Sequence, residues 1–265
     1  YYSRTQEAAA DQKAVSILCK SRINASYLSS FLKTLETTIP KINTNTENYR
    51  STHPLPQDRR TWIQLALNNN KQCEFEKNLE LEKRFNLLKA KLFGFTHSHE
   101  ETSAVYNSSS DKDLYATAVS SYLNGDLIQS IENLEKLIAK HKNNPFFKEL
   151  IGEIYFSSQK YDEAIYFQKE AINSLNVNND IYSMILGNYL LSTQENDKIK
   201  ESIYFLKKSI QLNPRNAYSW YLLAKSYALI DELPLANYAT AERYYLIGEK
   251  SLSYDFASKA IKYIE

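Results

Sequence analysis

The chain has 265 residues and a formal net charge of +1, with 32 Lys and Arg against 31 Asp and Glu. This length allows one or two domains with a buried core, and the balanced charge gives no argument for nucleic acid or an anionic membrane. No run of 18 apolar residues occurs, so no transmembrane segment is expected. Few Gly and Pro beside 21 Tyr and 11 Phe favour an all-α protein with aromatic packing.

The first 94 residues show helical patterns that do not repeat. We predict N-caps at Asn24 and Asp58, because both are polar residues that precede helical patterns. A segment rich in Thr, Asn and Pro, residues 37–58, is expected to be a loop. A polar connector follows at 96–113. The predicted helices cover residues 3–20, 25–37, 58–69 and 72–92.

The C-terminal part carries an internal repeat with a period near 34 residues. ELIGEIYFSSQKYDEAIYFQKEAI (149–172) and SWYLLAKSYALIDELPLANYATAE (219–242) each place a small residue three positions before a Tyr. A second helical pattern follows in both. We predict four units and a final capping helix, SYDFASKAIKYIE. The units cover residues 112–144, 145–178, 179–213 and 214–247.

The W-x2-L-A-x2-Y pattern that begins at Trp220 resembles the tetratricopeptide repeat (TPR), as does the period. Small residues let the two helices of a unit approach closely, and large residues fill the gap to the next unit. Since one hairpin cannot bury its apolar face alone, stacked hairpins are expected to form an α-solenoid with a concave surface for a protein or peptide partner.

Glu7 and Asp11 lie four residues apart in the first predicted helix, in line with Val15 and Leu18. One interpretation is a solvated acidic pair that Arg4 bridges, since exposed pairs of this kind are common. The other is a buried pair, which needs a cation or hydrogen-bond donors, and a metal ion would supply the charge directly.

The segment STHPLPQDRR (51–60) holds a second group of polar residues. Pro54 restricts His53 to extended geometry, and Arg59 follows in the first turn of a predicted helix. A His held in this way can face a site, although a His-Pro in a surface loop usually has no such role.

Taken together, these segments resemble the C-terminal half of the catalytic domain of HtpX-like zinc metalloproteases, and most closely the periplasmic, TPR-bearing BepA type. The resemblance rests on S-R-x-Q-E-x-x-A-D (3–11), S-T-H-P-L-P-x-x-R (51–59) and LKAKL (88–92). It implies three parts: the C-terminal part of a catalytic domain, a long connecting helix with a polar linker, and a TPR domain with its capping helix. These cover residues 1–70, 71–111 and 112–265.

The resemblance also implies roles for four residues. Glu7 matches the third zinc ligand of these proteases, and Asp11 matches the carboxylate that orients a ligand His. His53 matches a loop His that reaches into the cleft. Arg59 matches an Arg expected to stabilise the transition state or the loop.

The sequence departs from this family because H-E-x-x-H, which carries two zinc ligands and the general base, is absent. The missing half is expected upstream of Tyr1, and this chain alone is expected neither to hold zinc tightly nor to cleave peptides. His97, His99 and Glu100 are expected to be solvated in the polar connector.

Two functions remain open. The first is the C-terminal portion of a periplasmic zinc metalloendopeptidase in outer-membrane protein quality control, whose TPR groove would bind outer-membrane proteins or their assembly machinery. The alternative is a non-catalytic TPR adaptor. Cys19 and Cys73 are compatible with a disulfide in an oxidising compartment or with two buried thiols.

Overall fold

The structure, a computed structural model, describes residues 4–38, 56–68, 75 and 78–262. Within these residues the chain forms fourteen α-helices and no strand, which confirms the predicted all-α class. The chain divides into two compact units, Tyr1–Asn86 and Leu87–Glu265. The domain boundaries drawn from the sequence stay predictions. Each described helix is too short or too polar to cross a membrane.

Among its described residues the first unit contains three complete helices, namely α1 (Arg4–Lys20), α2 (Ser26–Thr38) and α3 (Pro56–Asn68). Its core consists of buried apolar side chains that come from all three helices and from the turn before α2. They are Val15, Ala25, Leu32 and Ile63. A fourth helix, α4 (Leu79–Thr96), begins in this unit and continues into the second.

The helix starts show which cap predictions were right. The side chain of Asn24 accepts a hydrogen bond from the Ser26 amide at 3.0 Å, as expected of a cap. The third helix begins at Pro56 and not at Asp58, since proline lacks the N–H that the first turn leaves unbonded. The fourth begins at Leu79 and not at residue 72, because Asn78 caps it by accepting from the Leu81 amide.

The polar connector contains a short helix, α5 (His99–Val105). Ser98 and Glu101 form a reciprocal capping box: the Ser98 hydroxyl accepts from the Glu101 amide, and the Glu101 carboxylate accepts from the Ser98 amide. This motif starts a helix in a segment whose composition favours a loop.

Nine helices follow in the second unit. The first eight pair in sequence order into four antiparallel hairpins, and the last packs on the fourth hairpin. This arrangement confirms the TPR-like solenoid. We call the first helix of each hairpin its A-helix, so that α6, α8, α10 and α12 are A-helices. The nine are α6 (Asp111–Leu123), α7 (Leu127–Lys140), α8 (Pro145–Ser157), α9 (Tyr161–Asn173), α10 (Asp180–Ser192), α11 (Asn196–Leu212), α12 (Ala217–Leu229), α13 (Leu233–Leu246) and α14 (Lys250–Ile261).

Packing inside and between hairpins follows the size pattern of the repeat. Gly187 on α10 faces the fully buried Leu206 on α11, and a Cβ added at Gly187 would lie 2.7 Å from the Leu206 Cγ. Between hairpins, the rings of Tyr115 and Phe147 meet edge to face with centroids 4.8 Å apart, and those of Phe156 and Tyr189 stack at 4.3 Å. Both ring pairs join neighbouring A-helices, so the A-helices lie side by side.

Candidate functional site

The carboxylate of Asp11 is held by an arginine from another helix. Arg59 on α3 donates from Nε to Oδ2 at 2.9 Å and from Nη2 to Oδ1 at 2.8 Å, which is a bidentate pair. Its Nη1 lies 3.6 Å from Oε2 of Glu7. The structure therefore brings three of the four predicted site residues together. His53 lies outside the described residues.

This geometry decides between the two interpretations of the carboxylates. Asp11 is only 4% exposed, so the acidic pair is not simply solvated. The cation beside it in the structure is the guanidinium of Arg59, whose planar fork matches both carboxylate oxygens. The role of Arg59 in stabilising a transition state or the loop stays a prediction, and in the structure its Nε and Nη2 bind Asp11 and link α1 to α3.

Zinc binding requires at least three converging protein ligands. No group of three His, Cys, Asp or Glu side chains with metal-binding geometry occurs in the described parts of the chain. Glu7 and Asp11 already face a guanidinium, so the donors in the described residues do not fit a zinc site by themselves.

A recess of about 320 Å³ lies beside the ion pair, between α1 and α3. Asp11 and Gln12 are the polar residues of its lining, and the rest is apolar. The recess therefore presents mainly an apolar wall. Its other lining residues are Ala8, Val15, Trp62, Ile63, Leu65 and Ala66.

The histidines of the connector form separate contacts. The ring of His97 stacks on Phe93 with centroids 3.7 Å apart, whereas Nδ1 of His99 lies 3.1 Å from the Ser120 hydroxyl in a partly buried contact. The prediction that both are solvated is therefore wrong for His99, because α5 places it against α6. Cys19 takes part in a disulfide, and Cys73 lies outside the described residues.

A second polar site lies on three neighbouring A-helices and was not found from the sequence. We call it the Tyr–Glu face. The A-helices α6, α8 and α10 contribute two residues each. A fourth helix, α4, contributes Lys91. The face consists of Tyr115 and Tyr122, Glu149 and Glu153, Tyr182 and Tyr189, with Lys91.

The charges of these groups influence one another. Burial raises the pKa of Tyr115, and the charge of Glu149 raises it further. The same two causes, in the same order, raise the pKa of Tyr182. Burial also raises the pKa of Tyr189, with contributions from Glu153 and then Glu149. Two carboxylates on α8 therefore act on tyrosines of both neighbouring A-helices.

The two carboxylates are not equally neutralised. The ammonium of Lys91 lies 3.4 Å from Oε2 of Glu149. The pKa of Glu153 is raised, first by burial and then by the charge of Glu149, although Lys91 and a hydrogen bond from Tyr122 act to lower it. Keeping Glu153 ionised in the folded protein therefore has a free-energy cost.

The hydroxyls of two tyrosines on this face are buried without a hydrogen-bond partner. Tyr115 is 2% exposed and Tyr182 is 8% exposed, and neither hydroxyl oxygen has a partner within the described structure. Buried hydroxyls in folded proteins normally have a hydrogen-bond partner. Leaving such a group without a partner costs about 1–3 kcal/mol in folding free energy. Among the described residues, the fold therefore leaves the hydroxyls of Tyr115 and Tyr182 without hydrogen bonds.

A signal for this site is present in the sequence. Glu149 and Glu153 stand four apart in ELIGE, inside an otherwise apolar helix, which is the same spacing as Glu7 and Asp11. The pattern shows that two carboxylates share a helix face. The pattern cannot show that tyrosines from two other hairpins lie beside these carboxylates.

Comparison with known proteins supports the fold. No family model matches the chain, and no curated protein matches it in sequence. The solved structure of MamA AMB-1 is similar with a TM-score of 0.52 and 19% identity, covering 62% of this chain and 95% of that one. MamA 41-end from Desulfovibrio magneticus RS-1 has a TM-score of 0.48 and 15% identity, over 57% of this chain and 93% of that one. At 19% identity the likeness to MamA AMB-1 shows the fold alone, an all-α TPR-like solenoid.

Removing Arg59 should destabilise the first unit. Arg59→Met leaves Asp11 buried without its cation, so we expect a loss of about 2–4 kcal/mol in the free energy of unfolding. Trp62 on α3 reports this unit when Trp220 is replaced by Phe, so denaturant unfolding followed by tryptophan fluorescence measures the loss.

The matched control is the double variant Asp11→Leu with Arg59→Met in the same background. It removes both charges and should recover most of the loss, because no unpaired charge stays buried. An Arg59→Met variant as stable as the parent would contradict the structural role of the ion pair.

Glu153 should make stability depend on pH. A carboxyl with a raised pKa holds its proton to higher pH in the folded state than in the unfolded chain, so the free energy of unfolding falls as pH rises from the ordinary value of 4.5 through the raised pKa. Glu153→Gln removes this fall, and its advantage in melting temperature over the parent should grow from acid to neutral pH. Glu132→Gln, an exposed site on α7, should show no such growth in thermal unfolding monitored by circular dichroism.

Proposed function

We propose that this chain is a protein-binding scaffold whose second unit binds an extended polypeptide along the A-helices of its hairpins. The observation that supports this most is the Tyr–Glu face, where two buried tyrosine hydroxyls have no hydrogen-bond partner in the described structure and the pKa of Glu153 is raised. A bound polypeptide would supply hydrogen-bonding groups at this face. The TPR-like fold supports the same function, since stacked hairpins provide an extended binding surface.

Phe146 offers a direct position for testing this proposal. It lies three residues before Glu149 and seven before Glu153 on α8, so the three share one side of the helix. Its side chain is 49% exposed, which leaves room for a larger group. Tyr166 on α9, also exposed, is the matched control outside the A-helices.

The experiment replaces Phe146 or Tyr166 with the photo-crosslinking residue benzoylphenylalanine. Each variant is irradiated with a pool of unstructured peptides of randomised sequence, and cross-linked products are identified by mass spectrometry. We expect efficient cross-linking from position 146 and little from position 166. Equal yields at the two positions, or none at either, would contradict binding along the A-helices.

A second candidate keeps the metalloendopeptidase interpretation. We propose it for a longer protein of which this chain would be the C-terminal portion, acting on outer-membrane proteins in the periplasm. The proximity of Glu7, Asp11 and Arg59 supports it, because these residues carry the family resemblance. The disulfide at Cys19 is typical of an oxidising compartment such as the periplasm.

The test of this second candidate starts from the coding sequence upstream of Tyr1. If it encodes H-E-x-x-H, the longer protein should cleave an unfolded protein substrate, and Glu7→Gln should abolish cleavage while circular dichroism stays unchanged. An upstream sequence without that motif, or full activity in the variant, would contradict the assignment.

A further inference from the structure

The Tyr–Glu face carries more negative than positive charge. Glu149 and Glu153 contribute two carboxylates, and Lys91 contributes one ammonium, which lies against Glu149. The neighbouring Lys148 does not help, since it is 7% exposed and turns toward α9, where it lies 3.2 Å from Glu170 and 3.0 Å from Ser174. When Glu149, Glu153 and Lys91 are all ionised, their net charge is negative by one unit.

The two carboxylates are spaced to share a single cation. Residues four apart on a helix have Cβ atoms about 5–6 Å apart, so their carboxylates can converge on one group between them. An ammonium offers three donors and a guanidinium five, which suits two carboxylates and nearby hydroxyl oxygens.

The unpartnered tyrosines specify the same kind of ligand. The oxygens of Tyr115 and Tyr182 can accept hydrogen bonds, and both rings lie close enough to Glu149 for its charge to raise their pKa. Aromatic rings also attract cations. An anion would be repelled by two carboxylates, and an apolar group would leave the carboxylates and hydroxyls unsatisfied.

We propose that the Tyr–Glu face recognises a Lys or Arg side chain on an extended partner peptide, whose charged group binds between Glu149 and Glu153. This rests on the proposed scaffold function and names the class of peptide that the scaffold selects. Glu153 is the specificity-determining carboxylate, because Glu149 already faces Lys91. Tyr115 and Tyr182 surround the bound group and accept its remaining hydrogen bonds.

The test measures fluorescence anisotropy with labelled peptides of the repeating sequence Gly-Ser-Lys-Ser, and with matched peptides in which Gln or Glu replaces every Lys. We expect the Lys peptide to bind about tenfold or more tightly than either of the others, as charge-assisted hydrogen bonds provide. An Arg peptide should bind at least as well as the Lys peptide.

Matched variants separate this site from general attraction between opposite charges. Glu153→Gln should weaken binding of the Lys peptide about tenfold, the effect of losing one charge-assisted hydrogen bond. Glu132→Gln makes the same change in net charge at an exposed position on α7 and should leave affinity unchanged. Equal losses in the two variants would overturn the proposal.

The tyrosine hydroxyls provide a readout that a purely structural role would not give. Tyr182→Phe removes a buried hydroxyl without a partner, so the melting temperature of the unliganded protein should rise. The same variant should bind the Lys peptide about two- to fivefold more weakly, because the bound cation loses an acceptor. Unchanged affinity in this variant would overturn the assignment of the hydroxyl to the ligand.

The outcomes also separate this proposal from the scaffold function. If the Gln or Glu peptide binds as tightly as the Lys peptide and cross-linking from position 146 persists, the scaffold function stands and the basic specificity is wrong. If no peptide binds and no cross-link forms, both fail.

Discussion

The second unit depends on one constraint: a helical hairpin cannot bury its apolar side without the next hairpin. Phe147 illustrates this, because it is fully buried on α8 and its ring meets that of Tyr115 on the preceding A-helix, with centroids 4.8 Å apart. Phe156 and Tyr189 repeat the arrangement between α8 and α10. Stability therefore comes from neighbour contacts along the stack, as expected of a repeat protein.

The same stacking explains why polar groups become buried on the A-helices. Aromatic side chains that cover the next hairpin bring their hydroxyls with them, and the carboxylates of α8 lie between two such neighbours. Both units contain two carboxylates one helical turn apart, but the cations contact them differently. In the first, Arg59 binds Asp11 with two hydrogen bonds, whereas in the second Lys91 lies against Glu149 and Glu153 keeps a raised pKa. A carboxylate that accepts two hydrogen bonds from one guanidinium fits a structural ion pair, and a carboxylate with a raised pKa fits a binding surface.

Sequence reasoning succeeded where the signal is local and periodic. The repeat period predicted four hairpins, and the predicted cap at Asn24 is present. It succeeded less in the connector, whose polar composition favours a loop. There the Ser98–Glu101 capping box starts a short helix. For the carboxylates, the spacing of Glu7 and Asp11 predicted a nearby cation, and the cation that the structure shows beside them is Arg59. Arg59 lies 48 residues from Asp11 along the chain, and no local pattern links them.

By itself, the sequence determined the all-α class, the repeat period and the positions where two carboxylates share a helix face, because these follow from spacings of a few residues. Only the tertiary structure decided which groups surround those carboxylates. The cation at Asp11 comes from a different helix, and the hydroxyls at Glu149 come from hairpins before and after it. Pairings of this kind depend on how helices pack, and packing is set by the whole stack of side chains and not by any one segment.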